Sequence, residues 1–131
     1  MKKLYYLLIL LLVMFVSCRQ NTSVGLLSSL PAPRPELFAN IRDSAEWKNP
    51  ALMVAVDYIE LLPSRKVIMF DELESALQTL PRSAWPYGRV VGLQMNSLAS
   101  EEEHAEVSNL YIKVRNKLMA MDIHVEYWPS A

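Results

Sequence analysis

Glycine is scarce in this chain, three in 131 residues, and cysteine and histidine are scarcer still, at one and two. A single cysteine rules out any intramolecular disulfide. Three glycines leave no glycine-rich phosphate cradle, and no Gly-x-Ser-x-Gly elbow occurs, so the common nucleotide and serine-hydrolase chemistries have no scaffold. Two histidines, His104 and His124, are too few for a closed zinc site, which takes four ligands, or three and a water. Thirteen lysines and arginines stand against fourteen aspartates and glutamates. These charges are dispersed except at Glu101-Glu102-Glu103. No basic stretch is interleaved with aromatics, so nucleic acid is not an expected partner.

What the chain has in quantity is apolar residues, and the densest run lies at its start. Met1-Lys2-Lys3 is followed by an apolar run from Leu4 to Val16 and then by Ser17-Cys18. The run falls short of the about 20 residues that a membrane-crossing helix needs. A positive start, a short apolar core and a small residue before the cleavage point form an export signal. With the cysteine directly after it, Phe15-Val16-Ser17-Cys18 resembles the lipobox of bacterial lipoproteins, although leucine usually stands where Phe15 is. The resemblance implies a signal peptide over 1–17 and a lipidated Cys18 carrying a diacylglyceryl thioether and an acylated amine. It places the protein in the cell envelope, membrane-anchored and facing the periplasm or the exterior. Two anchoring chains suffice for stable attachment where one does not. An uncleaved N-terminal anchor helix, or a secretory signal cut elsewhere, is the alternative.

From Arg19 the composition turns to Asn, Thr, Ser, Gly and Pro and ends in Pro31-Ala32-Pro33-Arg34-Pro35. Alternate prolines support neither helix nor ladder hydrogen bonds, so residues 18–35 are expected to be a flexible tether, with a single globular domain over 36–131. Leu37, Phe38, Ile41 and Ala45 fit a short amphipathic helix ended by Asn49-Pro50. Ala51 to Tyr58 reads as a strand buried on both faces. A turn signal follows at Pro63-Ser64, and Val67 to Phe70 reads as a second strand. Asp71 and Glu74 have the spacing of a capping box before Leu73, Ala76, Leu77 and Leu80, a helix that Pro81 ends. Arg89 to Met95 is a third strand, with Val91, Leu93 and Met95 on one face. Ser100 and Glu103 open a second helix whose stripe is Val107, Leu110, Tyr111, Val114, Leu118 and Met121. Ile123 to Trp128 closes the chain as a strand. The order strand, strand, helix, strand, helix, strand predicts an α+β two-layer sandwich, one mixed sheet of about four strands with two helices on one face.

This order, with the fragments Phe70-Asp71-Glu72-Leu73-Glu74-Ser75-Ala76-Leu77 and Pro86-Tyr87-Gly88-Arg89-Val90-Val91, resembles the periplasmic domain of the ExbD/TolR biopolymer-transport family. The resemblance implies an accessory role in an export or energy-transduction complex. The family's membrane-embedded aspartate has no counterpart between Leu4 and Val16.

Candidate chemistry is thin. His124 and Glu126 alternate onto one strand face and supply two metal ligands at most. The clusters Asp71/Glu72/Glu74 and Glu101–Glu103 are accounted for by capping and the helix dipole. No metal, cofactor or enzyme activity is expected. The most suggestive stretch is Arg82-Ser83-Ala84-Trp85-Pro86-Tyr87-Gly88-Arg89, whose two aromatics and two arginines have the composition of an interaction hot spot. Arg82, Trp85, Tyr87 and Arg89 are therefore the candidate binding residues. The other reading is that Trp85 and Tyr87 close the end of the core. The expected function is a non-catalytic binding or scaffolding module whose partner is another envelope protein.

Overall fold

The computed structural model describes residues 26–96 and 100–128. Five strands form one mixed sheet: β1 (Ala51–Val54), β2 (Ile59–Leu62), β3 (Lys66–Ile68), β4 (Val90–Met95) and β5 (His124–Tyr127), in the order β3-β2-β1-β4-β5. β2 is antiparallel to both β1 and β3, while β4 is parallel to β1 and β5. Residues 26–29 are helical, and after them come the helices α1 (Pro35–Phe38), α2 (Leu73–Gln78) and α3 (Glu101–Ala120). The mixed α+β sheet matches the expected class, with five strands in place of about four.

The extra strand, β2, follows the run Ala51 to Tyr58, which is strand only as far as Val54. Pairing stops at Val54, the Ala55 amide bonds back to the Tyr58 carbonyl at 2.9 Å, and the chain returns as β2. Ile59-Glu60-Leu61-Leu62 alternates buried and half-buried, the period of a strand with one deep face. The Pro63-Ser64 turn lies where expected, and Arg65 closes it with φ at 61°.

Leu52, Val54, Ile59, Leu61, Val91, Leu93 and Val125 point to one face, where Leu73 and Leu77 of α2 and Val107, Val114 and Leu118 of α3 complete the main core. The α3 stripe is as expected, with Leu110, Tyr111 and Met121 packed at its margin. Ser100 takes the N-cap position through its backbone and makes no side-chain cap bond. The expected Asp71 cap is replaced by Glu72, whose carboxylate accepts from the Met69 amide at 3.1 Å across a 3-10 turn at 70–72. The amphipathic helix expected after Leu37 does not form. Only Pro35–Phe38 is helical, with proline at its first turn where the missing N–H costs nothing, and Asp43 turns the chain again by accepting from the Ala45 amide.

The domain begins before residue 36. Leu27 and Leu30, both 4% exposed, lie in the main core. Behind them Pro31 to Arg34 is fastened to the sheet: Arg34 donates its amide to the Tyr87 carbonyl at 2.9 Å, and Arg89 donates to the Pro31 carbonyl at 3.0 Å. Among the described residues, the tract expected to be a flexible tether is therefore part of the packed body. Its prolines leave carbonyls free to accept, and neighbouring amides use them. Among the described residues no helix is long and apolar enough to cross a membrane. Cys18 and the expected signal segment over 1–17 lie outside them.

Candidate functional site

The 82–89 loop was expected to present four residues together, and the structure separates them. Trp85 is 3% exposed within the main core, and its indole N–H finds no acceptor among the described residues. Tyr87 is 7% exposed on the opposite sheet face, in a second cluster with Phe38, Trp47 and Val90. Its ring lies 5.0 Å from Trp47 and 5.8 Å from Phe38, and its hydroxyl accepts from the Lys48 amide at 3.1 Å. Arg82 donates to the Ser29 hydroxyl at 2.8 Å, and Arg89 pairs with Asp122 at 2.7 Å. The four side chains point to four different surroundings, so they form no common exposed patch. Trp85 and Tyr87 close the core, and the arginines tie the loop to its neighbours.

Asn49 and Gly88 explain why the loop holds this shape. The Asn49 side chain, 2% exposed, donates to the Gly88 and Val90 carbonyls at 2.9 and 2.8 Å and accepts from the Tyr87 amide at 2.8 Å. It replaces the strand that the backbone lacks at that point. Gly88 has φ at +85°, and a Cβ there would lie 2.4 Å from the Ala32 carbonyl oxygen. Only glycine permits both the turn and the close passage of the N-terminal segment.

The second sheet face carries the more promising feature. There the aromatic cluster covers Val90 and Ala51 but not the whole sheet, and a recess of about 250 Å³ opens beside it. Trp47, Trp128, Leu62, Pro63 and Gln94 line it, with Ser44 at its rim. The two indoles meet edge to face at 5.6 Å. Trp128 lies over Gly92, where a Cβ would come within 2.9 Å of its indole nitrogen. That nitrogen is buried and unpaired among the described residues, while the Trp47 nitrogen is satisfied by the Pro50 carbonyl at 3.1 Å. Gln94 is 8% exposed, and its amide opens into the recess without a hydrogen bond to any described residue. No ionisable side chain lines the recess. It offers a flat apolar wall and one accessible carboxamide able to donate and accept, which suits a neutral group with an amide or hydroxyl at its edge.

Acid–base or metal chemistry has no comparable arrangement. Among the described residues no group of three or more His, Cys, Asp and Glu is placed to hold a metal ion. His124 and Glu126 stand 3.4 Å apart, an exposed pair at the sheet edge. Burial pushes the Tyr111 hydroxyl above its ordinary pKa, helped by the neighbouring Tyr127 and opposed by Arg115. That group lies across the sheet from the recess.

The recess residues escaped sequence reading because each is ordinary alone. The available signal was Gly92 and Gln94 alternating with Val91, Leu93 and Met95, which marks the second face of a central strand as occupied. No family model, no curated protein and no solved structure matches this chain.

Proposed function

We propose that the protein is a lipid-anchored, non-catalytic binding module of the cell envelope, and that the Trp47–Trp128–Gln94 recess is where it engages another envelope protein. The observation that carries this reading is Gln94. Its carboxamide makes no hydrogen bond to a described residue and opens into the recess, so its donor and acceptor are free to meet a partner. A neutral loop of a partner, offering a backbone amide to Gln94 and an apolar side chain to the indoles, satisfies it and fills the recess. Central, desolvated pockets lined by tryptophan are where interface energy concentrates. The Phe15-Val16-Ser17-Cys18 segment supports anchoring at the membrane.

The test is a photo-crosslinking amino acid at Leu62, on the rim, in the full chain expressed in its own host. A discrete adduct with one envelope protein is expected, lost in a Trp128→Ala background that still folds and reduced in Gln94→Leu. An adduct indifferent to both changes, or none, overturns the recess as the contact. Adducts with motor subunits would replace this reading by the accessory role that the ExbD/TolR resemblance implies.

A further inference from the structure

The sheet has two edges, and they are treated differently. β3 is three residues long, carries Lys66, and follows Pro63 and the left-handed Arg65, all devices that blunt an edge against pairing. β5 shares one of them, the left-handed Asp122 before it, but is a residue longer, and from Ile123 to Trp128 there is neither lysine nor proline. The His124 amide donates to the Arg89 carbonyl at 3.0 Å and the Trp128 amide to the Leu93 carbonyl at 2.9 Å. Even-numbered residues therefore face β4, and the N–H and C=O groups of Val125 and Tyr127, with the Ile123 carbonyl, point away from the sheet. The Ile123 amide is already taken by the Leu118 carbonyl at 3.0 Å. Along this edge runs an open groove of about 500 Å³, bordered by Met119 and Tyr127, which are 61% and 56% exposed.

We infer that this edge pairs with β5 of a second copy, antiparallel about a two-fold axis at Val125, to form one continuous sheet. The strand is complementary to itself in that register and in no neighbouring one. Val125 meets Val125, each giving and accepting a hydrogen bond, and the Tyr127 amide meets the Ile123 carbonyl of the other copy. On the helix-bearing face Ile123, Val125 and Tyr127 then lie against one another, with the exposed Met119 of α3 beside the axis. On the opposite face His124 stands across from Glu126 of the other copy, at a closely spaced cross-strand pair. A shift of register by one residue would set Val125 against Glu126 and lose both matches. Self-complementarity of this kind is what a two-fold interface requires.

The register makes a test that does not depend on a single damaging variant. Two differently tagged copies of the full chain, co-expressed and solubilised in mild detergent, are pulled down through one tag and probed for the other. Wild-type copies should co-purify. His124→Glu paired with itself places glutamate across from Glu126, Glu126→Lys paired with itself places lysine across from His124, and each should cut co-purification at least about fivefold. His124→Glu mixed with Glu126→Lys sets glutamate against lysine and histidine against glutamate, and should recover the wild-type level. Failure of wild-type copies to associate overturns the inference. So does full association of either variant with itself, or a mixed pair no better than its parents; this last result would leave β5 as an edge for some other strand.

Discussion

Asn49 does the work of a strand with one side chain. Asn49→Ala leaves the Tyr87 amide and the Val90 carbonyl buried without partners and the Gly88 carbonyl with the Val90 amide alone, and at about 1 kcal/mol or more for each orphaned group the loss should reach about 2–3 kcal/mol. Urea unfolding checks it, with Asn49→Asp losing nearly as much because a carboxylate cannot donate to the two carbonyls. Gly88→Ala acts on the same junction by another route: a left-handed turn forced on alanine, and a collision with the Ala32 carbonyl, should cost about 2–3 kcal/mol and release the N-terminal segment. In Gly92→Ala the added methyl occupies the place of the Trp128 indole, so tryptophan emission should shift to longer wavelength while the sheet persists. An unchanged spectrum would mean that the indole is not seated there.

At the scale of elements, the segment 26–34 decides how much of the chain is a domain. Leu27→Ala and Leu30→Ala should each cost about 2–4 kcal/mol as core truncations. A chain starting at Glu36 loses both leucines together and should unfold at markedly lower urea than one starting at residue 26. Equal midpoints would return the segment to the status of a tether. Its packing could not be read from the sequence because alternate prolines identify what the backbone will not do, not what accepts from it. Elements with full periodicity were legible: the α3 stripe, the Val91-Leu93-Met95 face of β4, and the strand that ends the chain. β2 was not, since four residues after a turn give too short a sample to separate alternation from a loop. The site divided along the same line. Trp85 and Tyr87 drew attention by composition and turned out to be core, while Trp47, Gln94 and Trp128, far apart in sequence, meet only once β4 is central and β5 is beside it.

Among the described residues one sheet face is packed under α2 and α3 and the other is partly open, with β3 and β5 at the two edges. The proposed membrane attachment is a separate matter of chemistry at Cys18. A clickable fatty acid should label the wild type and leave Cys18→Ala unlabelled; labelling of both would end the lipoprotein reading. If the anchor is there, the way in which 26–34 is fastened acquires a mechanical meaning. A pull between membrane and domain arrives at residue 26, where it must first draw Leu27 and Leu30 out of the core and then shear the two backbone bonds that Arg34 and Arg89 make. Only afterwards does tension pass through Trp47 and Asn49 to β1. Under load from the N-terminus the first extension should be this strap, with the sheet still folded. In an anchored protein the strap would then act as a fuse, lengthening the leash before the recess and the sheet edge are disturbed.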